Sequence, residues 1–182
     1  MKRVVLVSEV CSGWFRVALL LLFLGTTSIA QAQDSKMMAN FTLNIIKYIG
    51  WDESQLQGSF VIGVVGKSEF SNTLRELALN RKIGSQDIEV RDFAKANKVA
   101  PCQVLFVGKD AFFDLLAENI IRNCGEKGFL LITEEPNALA KGSVVNFYHE
   151  DGKLKFEISD ENAKKLNILY ADKLASMAEA KP

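Results

Sequence analysis

Three short, strongly apolar runs constrain this chain most. They are Phe60-Val61-Ile62-Gly63-Val64-Val65, Cys102-Gln103-Val104-Leu105-Phe106-Val107 and Phe129-Leu130-Leu131-Ile132. Each is too short for a core helix and lacks the strict alternation of a strand with one wet face. Such runs read as strands buried on both faces, the condition found in parallel sheets. The first two end in Gly66 and Gly108, as a strand entering a turn does.

The segments between them carry helical periodicity. Residues 36–50 place Met38, Phe41, Ile45, Tyr48 and Ile49 at spacings of three and four, with Gly50 as a stop. Ser68 can cap a helix with Phe70, Leu74, Leu77 and Ala78 on one face. Asp110 can cap another, running to about Arg122, with Phe112, Phe113, Leu116 and Ile120 on one side. Asp87–Phe93 is a shorter strand in which Ile88 and Val90 alternate, and Leu139 and Ala140 sit in a short turn or helix. Ser143–His149 and Lys153–Ser159 meet through Asp151-Gly152, a strong hairpin signal. Asp160 caps a closing helix carrying Ala163, Leu166, Leu169 and Leu174. The expected fold is therefore a single α/β domain. Its sheet is mostly parallel with helices on both faces, an antiparallel hairpin at one edge and a closing helix.

The first 32 residues stand apart. Lys2, Arg3 and Arg16 precede the apolar run Val17–Leu24, and small residues follow to Ala30-Gln31-Ala32. This is the order of a secretory signal peptide, with cleavage expected after about Ala32. The alternative is a membrane anchor, but the apolar core spans about eight residues where about twenty are needed. The expected division is a signal peptide over 1–32 and one α/β domain over 33–182. Cleavage would turn a neutral chain, with 22 basic and 22 acidic residues, into one with 19 against 21. That balance argues against a nucleic-acid partner. It would also reduce three cysteines to two, Cys102 and Cys124.

That pair lies in an oxidising compartment if the chain is exported. Cys102 opens one buried strand and Cys124 follows the next helix. A right-handed crossover returns the chain to the same sheet edge, so a disulfide between them is geometrically reasonable. Closing a loop of about 22 residues would contribute roughly 3 kcal/mol. The other reading is two thiols, one of them a small buried hydrophobe, and whether a bond would be structural or redox-switched stays open.

No catalytic constellation emerges. The turn at Gly63-Val64-Val65-Gly66-Lys67-Ser68 lacks the second glycine of a dinucleotide fingerprint. It also has Val61 where a phosphate-binding loop needs glycine. The lone His149 lies at the hairpin turn, and no nucleophile elbow is present. No cofactor or metal is expected. Two binding features remain. Loops after the buried strands offer Lys67, Ser68, Lys109 and Glu134 as a ligand crevice at the carboxyl edge of the sheet. The amino-terminal helix carries Phe41, Tyr48 and Trp51, either as core only or as a strip for a partner or a second copy of the chain.

The order of these segments resembles the YfiR family of small periplasmic proteins. The resemblance rests on Phe41–Trp51 and on Phe60–Gly66 followed by Phe70. It rests also on Cys102–Val107, on Gly142–Phe147 with Gly152–Ile158, and on the tail from Ala163 to Leu174. Gly50, Asp52, Lys141 and Ser159 depart from the usual family residues at their positions. The resemblance implies a non-enzymatic periplasmic regulator. Such a protein binds and inhibits the periplasmic part of an inner-membrane signalling protein, of diguanylate cyclase type or a sensor kinase. Redox state and an outer-membrane lipoprotein would relieve the inhibition. The alternative is a small-molecule-binding module that feeds a sensor.

Overall fold

The computed structural model describes residues 26–66, 68–95, 98–111, 118–122 and 128–178. The basic and apolar parts of the expected signal peptide, Lys67, Phe112, Phe113, Leu116 and Cys124 lie outside them. The chain divides into two units, Met1–Asp34 and Ser35–Pro182. The first is described from Thr26 onward as helix, and the second holds the sheet.

Helix α1 (Thr26–Ile45) passes into a single 3-10 turn, Ile46–Tyr48, and then strand β1 (Ile49–Gly50). The expected helix thus ends five residues before Gly50. Gly50 instead pairs with Leu169 in a two-stranded antiparallel sheet with β9 (Leu169–Tyr170). Strand β2 (Phe60–Val65) lies where the apolar run places it, and α2 (Ser68–Ala78) follows. Strand β3 (Lys82–Ile83), unmarked by any apolar run, turns into β4 (Gln86–Phe93). Then come β5 (Val104–Val107), β6 (Leu130–Thr133), β7 (Val145–Glu150) and β8 (Lys153–Ile158).

The larger sheet has the order β3-β4-β2-β5-β6-β7-β8. Neighbours from β4 to β7 are parallel, while β3–β4 and β7–β8 are antiparallel. Every residue of β2, β5 and β6 is buried, so both faces are covered. Phe41 of α1 and Phe70 of α2 pack on one face: Phe70 stacks on Phe106 at 3.9 Å between ring centroids, and Phe41 lies 6.2 Å from Phe147. Arg75 of α2 adds an ion pair to Asp92 of β4. Between β5 and β6, residues 118–122 are helical and Ile120 is fully buried.

The hairpin behaves as its sequence requires. Asp151 and Gly152 both have positive φ, 51° and 72°, matching the two-residue turn that follows strand twist. The closing helix is the main departure. Ser159, not Asp160, is the cap, accepting from the Asn162 amide. The helix then stops at Lys165, because Asn167 takes a left-handed φ of 54°. The chain continues as β9 and then a second helix, so α3 (Asp160–Lys165) and α4 (Asp172–Met177) replace one helix. Leu169, expected inside that helix, is 74% exposed.

Gly63, in the middle of β2, is a packing position. A β-carbon there would stand 2.6 Å from the Phe93 ring, 3.0 Å from Leu105 Cδ1 and 3.2 Å from Cys102 Sγ. Gly63→Ala should therefore destabilise the domain by about 1–3 kcal/mol, the usual range for overpacking. Alanine outranks glycine in strand propensity, so a urea midpoint at or above that of the parent would contradict this packing.

Candidate functional site

The strand order places a topological switch point between β2 and β5, where the chain first moves to one side of β2 and then to the other. Open α/β sheets bind ligands outside the carboxyl ends of such strands. Here the two loops close against each other. Gly66 has φ 85°, and a β-carbon on it would lie 2.7 Å from Ala111 Cβ. The Gly108 amide donates to the Val65 carbonyl at 3.0 Å, which draws the 3-10 turn Lys109–Ala111 onto the end of β2. The Lys109 amide then donates to Glu134 Oε1 at 3.3 Å, bridging the loops after β5 and β6.

Of the expected crevice residues, Lys109 and Glu134 are brought together in this way. Ser68 opens α2 at the same edge, and Lys67 lies outside the described residues. Among the described residues no group of three or more His, Cys, Asp and Glu could hold a metal ion.

Behind Glu134 lies a buried polar network that the apolar reading of these strands missed. The Thr133 hydroxyl donates to Asn146 Oδ1 at 2.8 Å, and the Ser143 hydroxyl donates to the Val145 carbonyl at 2.8 Å. The two hydroxyl oxygens are 2.9 Å apart. Asn146 also accepts from the Glu135 amide at 3.1 Å and donates to Glu157 Oε1 at 3.0 Å. Asn162 of α3 donates to the carbonyls of Leu139 and Ser143. The available signal was one polar residue inside an apolar strand, Asn146 between Val145 and Phe147. The network fixes how β7 docks on β6 and how α3 leaves β8.

At the opposite edge, Cys102 is buried just ahead of β5. Its sulfur faces Gly63, the residue in register with Arg91 on β4. The Arg91 guanidinium pKa is raised, first by its two hydrogen bonds to Glu89 and further by neighbouring Cys102. A glutamine clamp closes this edge. Gln55 donates to the Gly128 carbonyl at 2.7 Å, and the Gln55 carbonyl accepts from Gln86 and Gln103 at 3.2 and 2.9 Å.

Phe41, Tyr48 and Trp51 are all half-buried, and they do not form one strip. Phe41 packs between α1 and the rings of Phe147 and Phe156. Trp51 sets its edge on Phe60 at 5.0 Å and donates from Nε1 to the Ile46 carbonyl at 3.2 Å. Tyr48 has Lys173 Nζ at 5.6 Å from its ring centroid, and its carbonyl accepts from the Ala171 amide. Tyr48 and Trp51 therefore flank β1, beside the exposed Leu169 on β9.

Tyr170, next on β9, donates its hydroxyl proton to Asp160. Its pKa is pushed up to about 12, first by burial and then by the bonded, negatively charged Asp160. Folding therefore favours the protonated phenol. The resulting stability is complete below the ordinary tyrosine value of about 10 and is lost as pH rises towards 12. In a spectrophotometric titration, Tyr170→Phe should remove a tyrosine ionisation near pH 12, and Asp160→Asn should lower that ionisation. A Tyr170 titrating with free tyrosine would contradict the assignment.

Among curated proteins, none matches the chain. A conserved domain protein from Vibrio cholerae O1 biovar El Tor matches in structure with a TM-score of 0.51 and 13% identity, over 79% of this chain and 58% of that one. That likeness concerns the fold alone, and this chain spans little more than half of that protein. A candidate NADP oxidoreductase from Bacteroides fragilis matches at a TM-score of 0.35 and 16% identity, over 66% of this chain and 58% of that one. This second likeness is too slight to bear on fold or function. The family profile described as YfiR/HmsC-like matches residues 35–179, nearly the whole of the second unit. The chain therefore belongs to the YfiR/HmsC-like family of periplasmic regulatory proteins.

Proposed function

We propose that the chain is exported to the periplasm, with cleavage after about Ala32, leaving the domain 33–182. There it acts without catalysis, binding the periplasmic part of an inner-membrane diguanylate cyclase and holding it inactive. The observation that carries this reading is the family match over 35–179, whose members regulate cyclic di-GMP signalling. Among the described residues no helix is long and apolar enough to cross a membrane.

The docking surface in this reading is the β1–β9 face, where Tyr48 and Trp51 flank an exposed Leu169. Aromatic anchors beside an exposed aliphatic side chain are the composition from which binding hot spots are built. Phe41, packed against Phe147 and Phe156, ties α1 to β7 and β8. A Cys102–Cys124 bond and capture by an outer-membrane lipoprotein would each modulate the inhibition.

Deleting the gene should raise intracellular cyclic di-GMP, and the parent protein should recover a cyclase in pull-down. Leu169→Asp, at an exposed side chain, should leave the melting temperature unchanged and weaken that capture about tenfold or more. An unchanged cyclic di-GMP level together with no recovered cyclase would overturn the reading. Two titratable thiols in protein isolated oxidised would overturn the disulfide.

A second reading, a small-ligand module, is favoured by the switch-point order of the strands. The crevice would be formed by Lys67, Ser68, Lys109 and Glu134, with cation and carboxylate at its mouth. A ligand selecting this edge should raise the melting temperature in a screen of periplasmic metabolites. Lys109→Glu should abolish that rise.

A further inference from the structure

The docking face proposed above has two halves. Tyr48 and Trp51 belong to the segment that leads from α1 to β2, and Leu169 belongs to the tail of the chain. The tail is held firmly as far as Ile168. That side chain is buried, and its amide donates to the Ala163 carbonyl at 2.8 Å. Beyond it, β9 and α4 run over the surface from Leu169 to Met177. Tyr170 is half-buried there, and Leu174 is the one fully buried side chain of the stretch.

Among the described residues its other ties are slight. β9 is two residues long and pairs with Ile49–Gly50. The Ala171 amide donates to the Tyr48 carbonyl at 2.9 Å, the Tyr170 hydroxyl donates to Asp160, and Lys173 lies over the Tyr48 ring. α4 has six residues, and Ala171 at its cap position offers no side-chain acceptor. A helix that short does not persist in water unless packing holds it. The packing here is one leucine, Leu174. A segment with a single buried anchor and exposed hydrogen bonds opens far more readily than a sheet buried on both faces. β9 runs directly into α4, so losing the anchor releases both.

We propose that Leu169–Met177 is a strap that opens as one unit beyond Ile168, with Leu174 as its catch, while the seven-stranded sheet stays folded. Opening carries Leu169 away from Tyr48 and Trp51, and so splits the docking face without unfolding the domain. Binding at that face then draws on the closed strap only, and whatever holds the strap closed strengthens binding. This regulatory consequence rests on the reading that the face docks the cyclase. The opening itself does not.

Native-state hydrogen exchange decides the opening. The amides of Ala171, Leu174 and Ala178 bond the carbonyls of Tyr48, Ala171 and Leu174. In the parent protein they should share one opening constant, well above that of the β5 amides. Leu174→Ala should raise it about a hundredfold and leave Val104–Val107 unchanged. A staple should act the other way. A β-carbon on Gly50 would stand 3.6 Å from Leu169 Cβ, a span that a disulfide bridges. Gly50→Cys with Leu169→Cys, once oxidised, should slow exchange at the three strap amides until reductant is added. Strap amides as protected as those of β5 would overturn the proposal, and that measurement needs no variant. So would a Leu174→Ala protein that loses protection equally in strap and sheet, or a formed staple that leaves strap exchange unchanged. Leu174→Asp, outside the docking face, should hold the strap open, keep the β5 amides protected and weaken cyclase capture about tenfold or more. Capture equal to the parent's by a protein with its strap open would overturn the regulatory consequence. A parent that captures no cyclase defeats the docking reading instead, and the exchange result still decides the strap.

Discussion

Phe106 stacks on Phe70, faces Phe147 at 6.4 Å, and through Phe147 meets Phe41 and Phe156. This row of rings crosses the sheet from β5 to β8 and carries one helix at each end, α2 through Phe70 and α1 through Phe41. Removing both faces of β2, β5 and β6 from water is the largest favourable contribution available to a domain of this size. It obliges the chain to supply cover on each side. The aromatic row meets that need on one face, and the fully buried Ile120, within residues 118–122, adds to the cover.

What was legible in the sequence is what depends on apolar pattern alone. Phe60–Val65 is a strand over the very residues the run marks, and Asp151-Gly152 makes the expected turn. Features that rest on single polar contacts were not legible. The closing helix breaks because Asn167 can take a left-handed conformation, and periodicity through Leu166 and Leu169 gives no warning of that. β3 is two residues long and has no apolar run. Asn146, Thr133 and Ser143 look like interruptions in apolar strands, yet they form the network that docks β7 on β6.

The candidate sites divide in the same way. The loops after β2, β5 and β6 do converge on one edge, since parallel topology alone decides that. That Gly66 would close on Ala111, leaving the two turns in contact, depends on atomic packing outside the reach of spacing rules. Tyr48, Trp51 and Phe41 share a helical period in sequence. The period stops at Ile45, where the chain changes from helix to 3-10 turn to strand, so the three rings end on different neighbours.

The pairing of Ile49–Gly50 with Leu169–Tyr170 joins segments that lie far apart along the chain. A ladder of such high sequence separation forms late, because the intervening chain must already be compact before its ends can meet. Leu169 therefore meets Gly50 only after the chain between them has become compact, whereas Trp51 can meet Ile46 and Phe60 earlier. A face built on that ladder exists only in a chain whose distant segments have come together.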